Sequence, residues 1–258
     1  MLYYEAYYNG KANWVVFIHG IGGSTKTWKK QIKDFSQEYN LLLLDLPGHG
    51  KSESLKDFGV ETVNQHIVEV LDQVGIASAD FVAMSLGTMV ASHFAVQYPE
   101  RVKSLIQGGA TLRVDGFYKF LMQAADKIKR VFPSRVTYNV FARVIMPKKN
   151  HAKSRSIFIR ESSKMQRKDF MRWINYLHEN VHPGKLLQGL KGLNIKMYFI
   201  SGNEDTCFID GVKKCVEALP QATLSIIQKC GHVCTIEKAR EFNYAALLFL
   251  RRENTMAA

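Results

Sequence analysis

Phe81-Val82-Ala83-Met84-Ser85-Leu86-Gly87-Thr88 joins two different hydrophobic periods across a single serine. Residues 80–83 read as the end of a short buried strand, and residues 86–97 carry Met89, Val90, Phe94 and Ala95 as the apolar positions of a helix. Only a tight turn joins such elements. It strains the serine backbone and crowds its neighbours, so small residues are needed two before and two after it, where Ala83 and Gly87 stand. Ser85 Oγ is then presented at the carboxyl end of a sheet, and the helix N-terminus brings the Leu86 N–H to where an oxyanion would develop. The implied chemistry is nucleophilic.

Outward from the turn, strand and helix patterns alternate. Residues 2–8 read as an edge strand, and the apolar runs 13–18 and 40–45 as strands buried on both faces. Residues 25–39 and 61–74 read as amphipathic helices, and 102–108 as a further strand. This order predicts a mostly parallel central sheet flanked by helices. From residue 111 to about 193 helical periodicity dominates, including a helix through Phe117 that Phe132-Pro133 ends. Strands resume at 195–201 and 222–228, with a last helix at 236–251. The expected division is a core of residues 1–110 and 194–258 with an all-helical insertion at 111–193.

Four loops carry the remaining signals. His19-Gly20-Ile21-Gly22-Gly23-Ser24 lacks the lysine of a phosphate-binding loop and the spacing of a dinucleotide fingerprint. Asp45-Leu46-Pro47-Gly48-His49-Gly50-Lys51-Ser52 lacks the preceding glycine of a nucleotide loop and is expected to shape a turn. Gly202-Asn203-Glu204-Asp205-Thr206 follows a strand, and Lys229-Cys230-Gly231-His232 puts a histidine in a glycine-bounded loop. The serine turn resembles the GxSxG nucleophile elbow of the α/β-hydrolase fold, with Ala83 in place of the first glycine and Thr88 in place of a glycine often found just after it. The first two loops resemble that fold's HGxGG and DxPGxGxS loops.

This resemblance, from Trp14 to Leu250, implies an α/β-hydrolase with a helical cap. It implies a triad of Ser85, His232 and an acid, with the Leu86 and Ile21 N–H groups as the oxyanion hole. Asp205 is the preferred acid, with Glu204 adjacent and Asp210 more distant as competitors. His19 is expected to be a structural histidine. Within the cap, Phe117, Phe141 and Trp173 are candidates for the substrate pocket. Serine at the elbow argues against the epoxide-hydrolase and dehalogenase branches, which use a carboxylate nucleophile.

At 258 residues the chain can bury a full core without metal or disulfides. It has no apolar run of transmembrane length and no secretory pattern at residues 1–11, so a cytoplasmic location is expected. Its four cysteines, Cys207, Cys215, Cys230 and Cys234, are then expected as thiols. Cys230, His232 and Cys234 fit no common zinc spacing, and neither metal nor cofactor is expected. The net charge of +12 is concentrated: residues 113–191 hold 18 Lys and Arg against 5 Asp and Glu. Arg160, Lys164, Lys168 and Arg172 recur every fourth residue and predict one basic helix face, with Lys164 and Lys168 as candidates to meet an anionic substrate.

The expected activity is hydrolysis of a small carboxylic ester, lactone or thioester through an acyl-enzyme. Nucleic acid is not an expected partner, and an anionic membrane surface is the other use for the basic segment. Two further readings stand beside it. One is carbon–carbon bond hydrolysis, or a cofactor-free lyase step of menaquinone-pathway type, on a carboxylated substrate. The other is a slow-turnover ligand sensor.

Overall fold

A computed structural model describes residues 1–113, 134–180 and 184–256. Seven strands form one sheet in the order β1-β3-β2-β4-β5-β6-β7. They are β1 (Tyr4–Tyr7), β2 (Trp14–Ile18), β3 (Asn40–Leu44), β4 (Ala79–Met84), β5 (Val102–Gly108), β6 (Lys196–Gly202) and β7 (Ala222–Ile227). β1 pairs antiparallel with β3 at one edge, and every other neighbouring pair is parallel. Parallel pairing brings the carboxyl ends of β2, β4, β6 and β7 to one rim of the sheet, where ligand sites of open α/β sheets lie.

The apolar runs follow from burial on both faces. Val16 and Ile18 of β2 join Leu42 and Leu44 of β3 in one core, while Val15 and Phe17 join Leu41 and Leu43 in the other. The first core packs under α2 (Val60–Val74) and α3 (Leu86–Gln97), and the second under α1 (Lys29–Phe35) and α10 (Ala239–Met256).

Between β5 and β6 the described residues form α4 (Ser134–Ile145), α5 (Ala152–Ser162), α6 (Arg167–Asn180) and α7 (Gly184–Lys191). The segment is helical, but α7 packs on α3 of the core, with Gly189 against Val96. The helix expected through Phe117 and its end at Pro133 lie outside the described residues. After β6 come α8 (Ile209–Ala218) and, past β7, the four-residue α9 (Cys234–Glu237).

Three expectations need correction. The helix expected over 25–39 is a 3₁₀ turn, Thr25–Trp28, followed by the short α1. The last helix is interrupted at Lys238, between α9 and α10. The four basic residues do not share a helix: Arg160 lies on α5, Lys168 and Arg172 on α6, and Lys164 on the connection between them. Serine chemistry accounts for that break. Ser163 Oγ donates to the Arg160 carbonyl at 2.9 Å, a local bond that competes with continuing the helix. Among the described residues no helix is long and apolar enough to cross a membrane.

Candidate active site

Ser85 sits between β4 and α3 with φ 53° and ψ −122°, in the left-handed half of backbone space where a side chain is strained by about 1–3 kcal/mol. The surroundings hold it there. Its N–H donates to the Gly108 carbonyl at 2.9 Å, and its own carbonyl accepts from Thr88 Oγ1 at 2.6 Å and Thr111 Oγ1 at 3.1 Å. Thr88 thus braces the turn. Gly87 is required by contact: a Cβ there would stand 2.3 Å from the Ile18 carbonyl oxygen and 2.7 Å from that of His19.

His232 Nε2 lies 2.8 Å from Ser85 Oγ, and Nδ1 lies 2.9 Å from Asp205 Oδ2. The carboxylate can only accept, so Nδ1 carries the proton and Nε2 is left to accept from the serine hydroxyl. Both ring nitrogens are thereby engaged. Asp205 and His232 are buried, Ser85 is partly open, and Phe208 packs its ring 4.7 Å from the imidazole. Of the competing acids, Glu204 turns away to Lys148, Asn150 and His151, and Asp210 pairs with Lys213 at the surface. Hydrogen bonds from Asn150, Lys148 and His151 hold the pKa of the Glu204 carboxyl down to about 2.

The glycine loop after β2 lies against the elbow, its Gly20 packed on Ser85. Two histidines fix its path. His19 Nδ1 donates to the Gly20 carbonyl at 2.8 Å and Nε2 accepts the Leu46 N–H at 3.0 Å, while His49 Nε2 accepts the Gly22 N–H at 3.0 Å. His19 is therefore a structural histidine, and the loop from Asp45 to Ser52 is a brace. Among the described residues neither the Ile21 nor the Leu86 N–H finds an acceptor.

Burial holds both imidazoles below their ordinary range and so keeps them neutral; for His49 the neighbouring His19 adds to the effect. Each binds its proton less tightly folded than unfolded. Their stabilising contribution is complete above the unfolded value of about 6.5 and is lost as the pH falls below it. We expect the urea midpoint to drop between about pH 7.5 and 5.5 and to drop less in His49→Gln. A midpoint flat across that window would contradict this protonation assignment.

The elbow opens on a cleft of about 630 Å³, open solvent at its mouth included. Ser85, His232 and the glycine loop form its floor, and Phe141, Ile145, Met146, Ile157 and Phe158 of the insertion form its walls. Its described lining contains no Lys, Arg, Asp or Glu.

Of the cap residues singled out in the sequence, Phe141 lines this cavity and Phe117 lies outside the described residues. The others are elsewhere. Trp173 is fully buried, donating Nε1–H to the Pro47 carbonyl at 2.9 Å and packing on Phe58. Lys164 Nζ pairs with Glu161 at 2.6 Å, and Lys168 is exposed and absent from the lining. Periodicity located the helices but could not say which face meets the cavity. For the same reason Met146 and Phe158 stand undifferentiated among the apolar residues of the insertion, and nothing in the sequence marks Ile145.

The alpha/beta hydrolase fold family model matches residues 13–239. The chain belongs to this family. Over 92% of its length this α/β-hydrolase is 27% identical to a 2-hydroxy-6-oxononadienedioate/2-hydroxy-6-oxononatrienedioate hydrolase of Burkholderia vietnamiensis, spanning 87% of that protein. In structure it is similar to a carboxylesterase of the thaumarchaeon Nitrososphaera gargenis, with a TM-score of 0.83, 20% identity and coverage of 98% of this chain and 95% of the other. It is also similar to the enol-lactonase of Burkholderia xenovorans LB400, with a TM-score of 0.81, 18% identity and coverage of 97% and 96%. The α/β-hydrolase is an enzyme of the hydrolase class.

Proposed function

We propose that this α/β-hydrolase cleaves uncharged carboxylic esters, or the related lactones and thioesters, through an acyl-enzyme on Ser85. The observation that carries the reading is the hydrogen-bond chain Ser85–His232–Asp205 opening on an apolar cavity whose described lining holds no cation. His232 Nε2 takes the Ser85 proton as Oγ attacks the carbonyl carbon, and Asp205 stabilises the imidazolium. The Ile21 and Leu86 N–H groups receive the developing oxyanion. The imidazolium then returns the proton to the leaving alkoxide, and water, deprotonated by His232, releases the acid and restores Ser85. The four buried thiols fit a reducing, cytoplasmic compartment.

Carbon–carbon bond hydrolysis is the second reading, favoured by the near-full-length similarity to the Burkholderia vietnamiensis enzyme. The dicarboxylate named for that enzyme would bring charge into a cavity whose described lining has no partner for it. An unpaired buried carboxylate costs several kcal/mol, and 1.4 kcal/mol is already tenfold. We therefore expect neutral p-nitrophenyl acyl esters to exceed their ω-carboxylated analogues in kcat/KM by at least about 10-fold. They should exceed a carboxylated vinylogous 1,5-diketone by more. A preference for the carboxylated ester, or turnover of the diketone alone, would overturn the reading.

A further inference from the structure

A partly buried polar cluster lies beside the candidate triad, touches the cavity only through Ser154, and joins the helical insertion to both loops that carry His232 and Asp205. Glu237, at the end of α9, turns its carboxylate back on its own loop. Oε2 accepts the Gly231 N–H at 2.6 Å, one residue before His232, and Oε1 accepts the Ser154 hydroxyl of α5 at 2.7 Å. His151, just before α5, is fully buried, with Nε2 3.0 Å from Glu204 Oε2 and 3.9 Å from Glu237 Oε2. Two acceptor-only groups face that nitrogen, so it carries a proton and donates to Glu204. Glu204 also accepts from Lys148 Nζ at 2.9 Å and Asn150 Nδ2 at 2.7 Å, and its N–H donates to the Cys230 carbonyl at 2.8 Å. The His151 ring presses on the loop so closely that a Cβ at Gly231 would stand 2.6 Å from its Nε2.

Residues 148–154 of the insertion therefore grip the acid loop one residue before Asp205 and the histidine loop one residue before His232. None of these side chains lines the cavity except Ser154, and the reaction scheme uses none of them. We infer that Glu237 and His151 are positioning residues, holding the His232 imidazole in line between Ser85 and Asp205 and making turnover depend on the seating of α5. The inference rests on Ser85, His232 and Asp205 acting as the catalytic triad. Glu237 has the larger share, because its two oxygens bond both the histidine loop and the insertion.

A side-chain displacement of about 1 Å at a reacting group can cost about 100-fold in rate. Loosening the His232 loop should lower kcat and leave KM, set by the apolar walls of the cavity, nearly unchanged. Glu237→Ala should lose about 10- to 100-fold in kcat per active site counted by burst titration, with KM within about 3-fold. Glu237→Gln should recover to within about 3-fold of wild type, since its amide oxygen still accepts the Gly231 N–H and its NH₂ can donate to Ser154 Oγ. Should Glu237→Ala fail to fold, Ser154→Ala and His151→Gln keep the test open, each with a smaller kcat loss of the same kind.

Wild-type kcat per titrated site in Glu237→Ala would overturn the inference. So would a loss confined to KM, a glutamine variant no better than alanine, or unchanged kcat in both fallback variants. Ser85→Ala separates the two levels: if it retains turnover the triad itself fails, and if it is inactive while Glu237→Ala is normal only the positioning role fails.

Discussion

Ser85→Ala should lower kcat by about 10⁵- to 10⁶-fold on a neutral ester, and His232→Ala by a similar factor. The two changes together should cost little more than either alone. The near-equality follows from the geometry. Without Nε2 at 2.8 Å the hydroxyl has no base, and without Oγ the base has nothing to deprotonate, so the pair acts as one unit. Residual activity would come from the backbone donors and the cavity alone. Ser85→Ala leaves no large void, and its thermal midpoint should stay within a few degrees of the parent, whereas His232→Ala strips the buried Asp205 carboxylate of its partner and should lower the midpoint further. Steady-state kinetics with active-site titration checks this. Losses that multiply in the double variant would show that serine and histidine act in separate steps.

Gly87→Ala should damage both folding and turnover through one added methyl. Its Cβ would meet the Ile18 and His19 carbonyl oxygens at 2.3 and 2.7 Å, and these are backbone atoms at the end of β2 that no rotamer change can move aside. Either α3 shifts or the glycine loop is pushed off the elbow. Overpacking against backbone costs about 3 kcal/mol or more. In the fraction that folds, moving Ile21 from Ser85 removes one oxyanion donor, worth about 100- to 1,000-fold in rate. Urea unfolding and burst-titrated kcat report the two effects separately. Wild-type values for both would mean that the elbow and the glycine loop are not in this contact.

These expectations show which parts of the molecule local sequence could specify. The runs Trp14–Ile18 and Asn40–Leu44 read as strands because burial on both faces leaves no polar position beyond Asn40 to blur the pattern. The elbow was equally plain, since a strand period meets a helix period across one serine between small residues. The preference for Asp205 over Glu204 came from the family resemblance, because local pattern does not separate adjacent carboxylates on one loop; the position of residues 148–151 adds that Glu204 is already bound. Glu237 escaped notice for a related reason: its partner Ser154 is 83 residues away, beyond any local period.

The basic repeat misled in the opposite way. Four cations at helical spacing describe a face only if the helix is continuous, and the Ser162-Ser163 pair ends it. The structure then pairs Arg160 and Lys164 with Glu161, and Arg172 with Asp169 and the Leu55 carbonyl. Apart from Phe141, the walls of the cavity come instead from apolar residues that the sequence did not set apart from the core of the insertion. Charge composition described the surface of that segment, while the cavity took its character from the opposite faces of the same helices.

Reaction of Ser85 with a fluorophosphonate ester, followed by intact-mass and peptide mapping, tests the central claim most directly. One adduct per chain is predicted, on the peptide containing Ser85, forming in step with loss of ester turnover and absent in Ser85→Ala. Inactivation with the label on any other residue, or undiminished turnover once Ser85 is fully labelled, would contradict it.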